Sequence, residues 1–65
     1  MNETNLIKLM TQMENEFIAA CNDVEKFVHG NNSAGTRVRK HMQNVKKLAQ
    51  EVRVEVQEQK NTVEA

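Results

Sequence analysis

Apolar side chains recur between Leu6 and Phe27 in steps of four and three: Leu6, Met10, Met13, Phe17, Ala20, Val24 and Phe27. The same rhythm returns at Val38, Met42, Val45, Ala49, Val52 and Val56, breaks at Gln59 and resumes at Val63. This spacing brings one side chain per half-repeat to a single helix face. It predicts one helix over about 4–29 and a second over about 34–60, each roughly 40 Å long at 1.5 Å per residue. One stretch runs against that pattern. Val52-Arg53-Val54-Glu55-Val56 alternates with period two, as a half-buried strand does, and valine favours strands. No turn signal separates it from Val38–Ala49 and the heptad passes through it in phase, so helix is predicted there too. Val54 then points away from the seam, toward another chain.

The chain has no Pro, and its only glycines, Gly30 and Gly35, fall near the middle. In the segment His29-Gly30-Asn31-Asn32-Ser33, Gly30 suits the left-handed position that ends a helix. Asn32 or Ser33 is placed to accept hydrogen bonds from the free amides opening the next one. A turn of residues 30–33 makes the helices antiparallel neighbours. The expected fold is all-α, an antiparallel two-helix hairpin with heptad seams, forming a single domain over residues 1–65.

The first helix is apolar beyond one seam, because Ile7, Leu9, Ile18, Cys21 and Val28 flank its core positions. One partner helix cannot bury a stripe that wide. Chains of 65 residues usually need a staple or a partner. Cys21 alone cannot close an internal disulfide, and no set of Cys and His has zinc-ligand spacing. Association of hairpins into a helical bundle, as a dimer or tetramer, is the remaining route. Four Met with no Tyr or Trp suit an adaptable aliphatic core. Cys21 reads as a buried small hydrophobe, and Phe17 and Phe27 as core, which leaves no exposed aromatic for base stacking.

Charge changes the picture more than composition does. The net charge is zero. Residues 31–50 nevertheless carry Arg37, Arg39, Lys40, Lys46 and Lys47 with no acid. The preceding 30 residues sum to −3 and residues 51–65 to −2. A concentrated basic segment is the electrostatic footprint of a polyanion partner, and the plain alternative is a solvated or salt-bridged helix face. Arg37, Lys40 and Lys47 share one face of the second helix. Arg39, Lys46, Arg53 and Lys60 follow each other at intervals of seven beside the seam, where flanking positions commonly carry interhelical salt bridges. Arg53 and Lys60, with acids nearby, read as structural.

Arg37, Arg39 and Lys40 are different, because they open a helix whose macrodipole is already positive there. The same corner offers free amides, the small residues Ser33, Ala34 and Gly35, and the Thr36 hydroxyl, which together suit a phosphate group. Gly35 either admits a phosphate to the backbone or eases a tight turn. His29 ends the first helix and His41 lies beside the basic line; two histidines without a third ligand do not make a metal site. No nucleophile and base are paired, so no catalytic activity and no cofactor are expected.

The segment Gly30-Asn31-Asn32-Ser33-Ala34-Gly35-Thr36-Arg37-Val38-Arg39-Lys40, continued by Leu48-Ala49-Gln50-Glu51-Val52-Arg53-Val54-Glu55-Val56-Gln57, resembles the bacterial linker-histone-like family of chlamydial type. Short relatives in Bacteroidetes share a G-N-x-x-A-G-T-R-x-R-K segment followed by L-A-Q-E-[IV]-R-x-E-[IV]-Q. The resemblance covers most of the chain. It implies a small helical nucleoid-associated protein that binds double-stranded DNA with little sequence preference. By that resemblance the DNA-contacting positions are Arg37, Arg39 and Lys40, with Lys46 and Lys47 in support; the Thr36 hydroxyl of the helix start joins them as a candidate DNA contact. Chlamydial members add a long Lys-rich tail, whereas Asn61–Ala65 is acidic and neutral.

The longest apolar run, Phe17–Cys21, is far short of the roughly 20 residues that span a bilayer. No basic segment of a secretory signal opens the sequence at Met1–Thr4. A soluble intracellular protein without a membrane or small-molecule partner is therefore expected, and the resemblance implies a cytoplasmic, nucleoid location. A self-associating hairpin that does not bind DNA is the rival expectation.

Overall fold

In the computed structural model the backbone is described for residues 2–64 and side-chain surroundings for residues 5–61. Among the described residues two helices are present, α1 (Asn2–Val28) and α2 (Asn32–Glu64), and they pack along each other as a hairpin measuring 53 × 15 × 11 Å. The connection shows why the chain reverses at this point. Gly30 has φ of 106°, which side-chain-bearing residues rarely adopt. Its N–H donates to the Phe27 carbonyl and that of Asn31 donates to the Lys26 carbonyl, each at 3.0 Å. This is the paired closure of a Schellman motif, and it satisfies the carbonyls that the helix end would leave open.

Asn31 then starts α2. Its Oδ1 accepts the Ala34 N–H at 3.2 Å, and its own carbonyl accepts the same N–H at 3.1 Å. The cap is thus Asn31, not the expected Asn32 or Ser33. Because one residue both completes the Schellman motif and caps the next helix, α2 begins at Asn32, about two residues earlier than the periodicity suggests.

The seam between the helices is also turned from the expected one. Met10 and Phe17 remain 54% and 58% exposed, and Val24, Met42 and Val56 are exposed as well. Between the helices lie Leu9, Glu16, Ala20 and Asp23 of α1, with Ala34, His41, Leu48 and Val52 of α2. Only Ala20 (2% exposed) and Ala34 (0%) are fully buried apolar residues among those described. Small residues let the backbones approach near the turn, and polar pairs then fix the rotation of each helix about its axis. A two-helix contact covers one edge of a wide apolar stripe and leaves the other edge open. Cys21, expected to be buried, is exposed on that open edge. Val54 is exposed too, and Val63 lies outside the residues whose side chains are described.

Candidate nucleic-acid interface

A polar cluster crosses the seam where the basic segment begins. Arg37 Nε donates to Asp23 Oδ1 at 3.0 Å. The other Asp23 oxygen lies 3.2 Å from His41 Nε2, and His41 Nδ1 lies 2.8 Å from Glu16 Oε1. Each ring nitrogen of His41 therefore faces a carboxylate. The protonated ring donates to both, whereas a neutral ring donates to only one. The hydrogen bonds from His41 and Asn44 hold the Glu16 carboxyl below its usual range, against a smaller opposing effect of burial. Burial pushes Asp23 the other way, but the hydrogen bond and charge of Arg37, joined by His41, outweigh it and leave that carboxyl lowered.

The remaining candidate residues make no hydrogen bond to this cluster, although the Lys40 charge adds to the lowering of Glu16. Thr36, Arg39, Lys40, Lys46 and Lys47 are all exposed, and the four basic ones make no ion pair among the described residues. Lys40 and Lys47 are seven apart on one flank of α2, continuing the line of Arg37; Arg39 and Lys46 are seven apart on the other flank. Thr36 lies between these lines on the edge facing away from α1. Thr36, Arg39, Lys40, Lys46 and Lys47 occupy an arc of roughly 120°, at about 100° per residue, and about 16 Å of helix length. That length matches about five base-pair steps at 3.4 Å each. Arg37 sits at the margin, its guanidinium tied to Asp23 while its side chain stays 45% exposed.

Two parts of the expected phosphate corner are already occupied by the fold. The Ala34 amide is taken by Asn31, and the open side of Gly35 is filled by the Phe27 ring. A Cβ at Gly35 would sit 2.8 Å from two ring carbons. Gly35 thus serves the turn, and the exposed polar groups at the start of α2 are Ser33, Thr36 and the basic side chains. His29 has its Nδ1 2.8 Å from the Glu25 carbonyl and so helps close α1. His41 lies in the seam and not beside the basic line. Phe17 and Phe27 are half exposed, but neither stands on the basic edge of α2. The cluster of Glu16, Asp23 and His41 is absent from the sequence-derived site. A signal for it exists in the spacing of seven between Glu16 and Asp23, which puts two acids on one edge of the α1 stripe.

Among the described residues no group of three or more His, Cys, Asp or Glu could hold a metal ion, and no helix is long and apolar enough to cross a membrane. The geometry defines a slim all-α hairpin with one exposed basic edge on α2. The chain belongs to the histone H1-like protein Hc1 family, whose family model matches residues 7–62, both helices and the turn between them. That family is one of histone-like, DNA-binding, nucleoid-associated proteins, not of enzymes. No curated protein and no solved structure matches the chain.

Proposed function

We propose that this protein binds duplex DNA without sequence preference, through phosphate contacts from the outer edge of α2. The observation that carries the reading is that edge itself, with Arg39, Lys40, Lys46 and Lys47 exposed and free of ion pairs among the described residues. Arg39 and Lys40 meet the phosphates first, Lys46 and Lys47 extend the contact by two turns, and Thr36 donates its hydroxyl. Arg37 has two duties: its Nε holds Asp23 across the seam and its exposed part adds positive potential to the edge. Point charges aimed at a phosphate backbone position a protein but read no bases. The reading places the protein on the nucleoid in the cytoplasm and requires no cofactor or small-molecule substrate.

Binding of labelled duplex over a salt series tests it. Neutralising about three phosphates per chain gives a log–log salt slope near −3, or about −5 for a dimer, at roughly −0.9 per phosphate. Arg39→Glu/Lys40→Glu, which removes none of the hydrogen-bonded pairs of the seam cluster, should keep its helical circular dichroism and lose most of its affinity. Binding that ignores salt, or that survives the double reversal unchanged, would sink the proposal. A second reading, a self-associating hairpin that does not engage DNA, is favoured by one observation, the open apolar edge of the hairpin. It prevails if the protein assembles but no salt-dependent binding is measured.

A further inference from the structure

The outermost line of α2 is neutral. Gln43 and Gln50 follow Thr36 at intervals of seven, and all three side chains are exposed. At about 100° per residue Gln43 stands midway between the limits of the basic arc, Lys40 on one side and Lys46 on the other. We infer that α2 lies in the major groove of the duplex, with Gln43 and Gln50 hydrogen-bonded to base edges and the basic flanks against the phosphate rows on either side. This inference rests on the DNA reading above and adds to it the groove and the neutral residues that enter it.

Hydrogen bonding sets these two amides apart from the other glutamines of α2. Gln57 donates to Asn61 Oδ1 at 3.3 Å, and Gln59 donates to Glu55 Oε2 at 3.4 Å. Gln43 and Gln50 have no hydrogen-bond partner among the described residues, so both ends of each amide are open. The two pairs also differ in their electrostatic surroundings. Residues 31–50 contain no acid, whereas Glu51, Glu55 and Glu58 follow on one flank of the helix. The open amides thus belong to the stretch that attracts phosphates, and the tied ones to the stretch that repels them.

Size selects the groove. A helix with its side chains is about 10–12 Å across, which the major groove, about 12 Å wide, admits and the minor groove, about 6 Å wide, does not. Only one helix fits that width, and charge selects α2, because residues 1–30, which contain α1, sum to −3. With Thr36, Gln43 and Gln50 on the edge turned away from α1, the first helix stays outside the groove. Seven residues of helix rise about 10.5 Å, close to three base-pair steps at about 3.4 Å each. Every base pair shows both acceptors and a donor on its major-groove edge, and a primary amide carries both functions. Such an amide finds a mate at any base pair, which fits binding without sequence preference.

The test is binding of the full chain to one duplex sequence in three forms. One is plain, one carries glucosylated hydroxymethylcytosine, which fills the major groove, and one is saturated with netropsin, which occupies the minor groove. Glucosylation should weaken binding on the order of tenfold or more, for the lost groove contacts, and netropsin far less. Gln43→Ala/Gln50→Ala should bind the plain duplex roughly tenfold more weakly, for two lost hydrogen bonds, with an unchanged log–log salt slope because no phosphate contact is lost. Alanine favours helix, so the circular dichroism of this variant should show no loss of structure. Arg39→Ala/Lys46→Ala supplies the contrast, with a slope flatter by about 1.8, at roughly 0.9 per phosphate. Full affinity or a flatter slope in the glutamine variant, binding that glucosylation spares, or binding that netropsin blocks as well as glucosylation does would overturn the groove inference and leave the phosphate reading standing. Absence of salt-dependent binding by the wild type would overturn both.

Discussion

The half of the hairpin next to the turn and the half farthest from it are held in different ways. Near the turn the seam is small and polar: Ala20 and Ala34 let the backbones close up, and Asp23 bridges Arg37 and His41 while Glu16 takes the other side of the ring. Farther out it is bulky and aliphatic, with Leu6, Leu9 and Met13 against Val45, Leu48 and Val52, all of them only half buried. Hydrogen bonds and ion pairs are directional, so the first half fixes the rotation of both helices. Hydrophobic contact is not directional, so the second half accepts the rotation it is given. The difference shows how a chain with a wide apolar stripe can present one edge of it outward. The polar cluster in the near half chooses the edge.

The largest effect is expected where all the directional pairs are removed together, by acid. In the folded hairpin the carboxyls of Glu16 and Asp23 lie below their ordinary values of 4.5 and 3.8. A lowered carboxyl contributes stability that is complete above its unfolded value and is lost as pH falls through its folded one. Urea midpoints should therefore stay level from neutral pH down to about 5 and decline below about 4. In Glu16→Gln/Asp23→Asn the midpoint should be lower at neutral pH and fall less on acidification. An acid decline equal to that of the wild type would assign it to other groups and remove the cluster from its place in the comparison.

Next in size is Gly30→Ala. No atom lies within 4 Å of a Cβ added there, so the cost is one of backbone conformation alone, about 1–2 kcal/mol. Denaturant titration gives the value. Because no neighbour is involved, no trimming of a nearby side chain should relieve it. Asn31→Ala follows, at about 1 kcal/mol for a lost helix cap. Asn32→Ala and Ser33→Ala should stay within roughly 0.5 kcal/mol of the wild type, as exposed positions without a capping bond do. A loss at Ser33 that equals the loss at Asn31 would return the cap to the position expected from the sequence.

Much of the fold is legible in the sequence because its causes are local. The four-and-three spacing from Leu6 to Phe27 and from Val38 to Val56 makes two helices, and Gly30 between them makes a reversal. The rotation of the seam is not legible in that way. Periodicity shows that Met10, Phe17 and Val24 share a stripe with Ala20, yet it cannot say which border of the stripe meets the other helix. That choice rests on Asp23 finding Arg37 and His41 across the seam, a matter of level between segments joined through the turn. The basic edge of α2 was readable because charge is written in residue type. The second duty of Arg37 was not, since it depends on the same cross-helix level. Gly35 carried two possible explanations, and only the position of the Phe27 ring separates them.

The smallest predicted effect tests that separation, because its sign should change with context. Replacing a helical glycine by alanine ordinarily stabilises by about 0.5–1 kcal/mol. At Gly35 the new Cβ would meet ring carbons of Phe27 at 2.8 Å, so the half-exposed ring must swing away from the turn. Gly35→Ala alone should therefore be neutral or mildly destabilising. In a Phe27→Ala background the obstacle is gone, and the same substitution should stabilise by up to about 1 kcal/mol, which is within the usual coupling between contacting residues. Stabilisation of equal size in both backgrounds would mean that the ring does not require the glycine. The reason for Gly35 would then pass from the near half of the seam to the basic side of α2. Duplex binding by Gly35→Ala decides between these two, since only a glycine kept for phosphate approach would cost affinity when a methyl group is added.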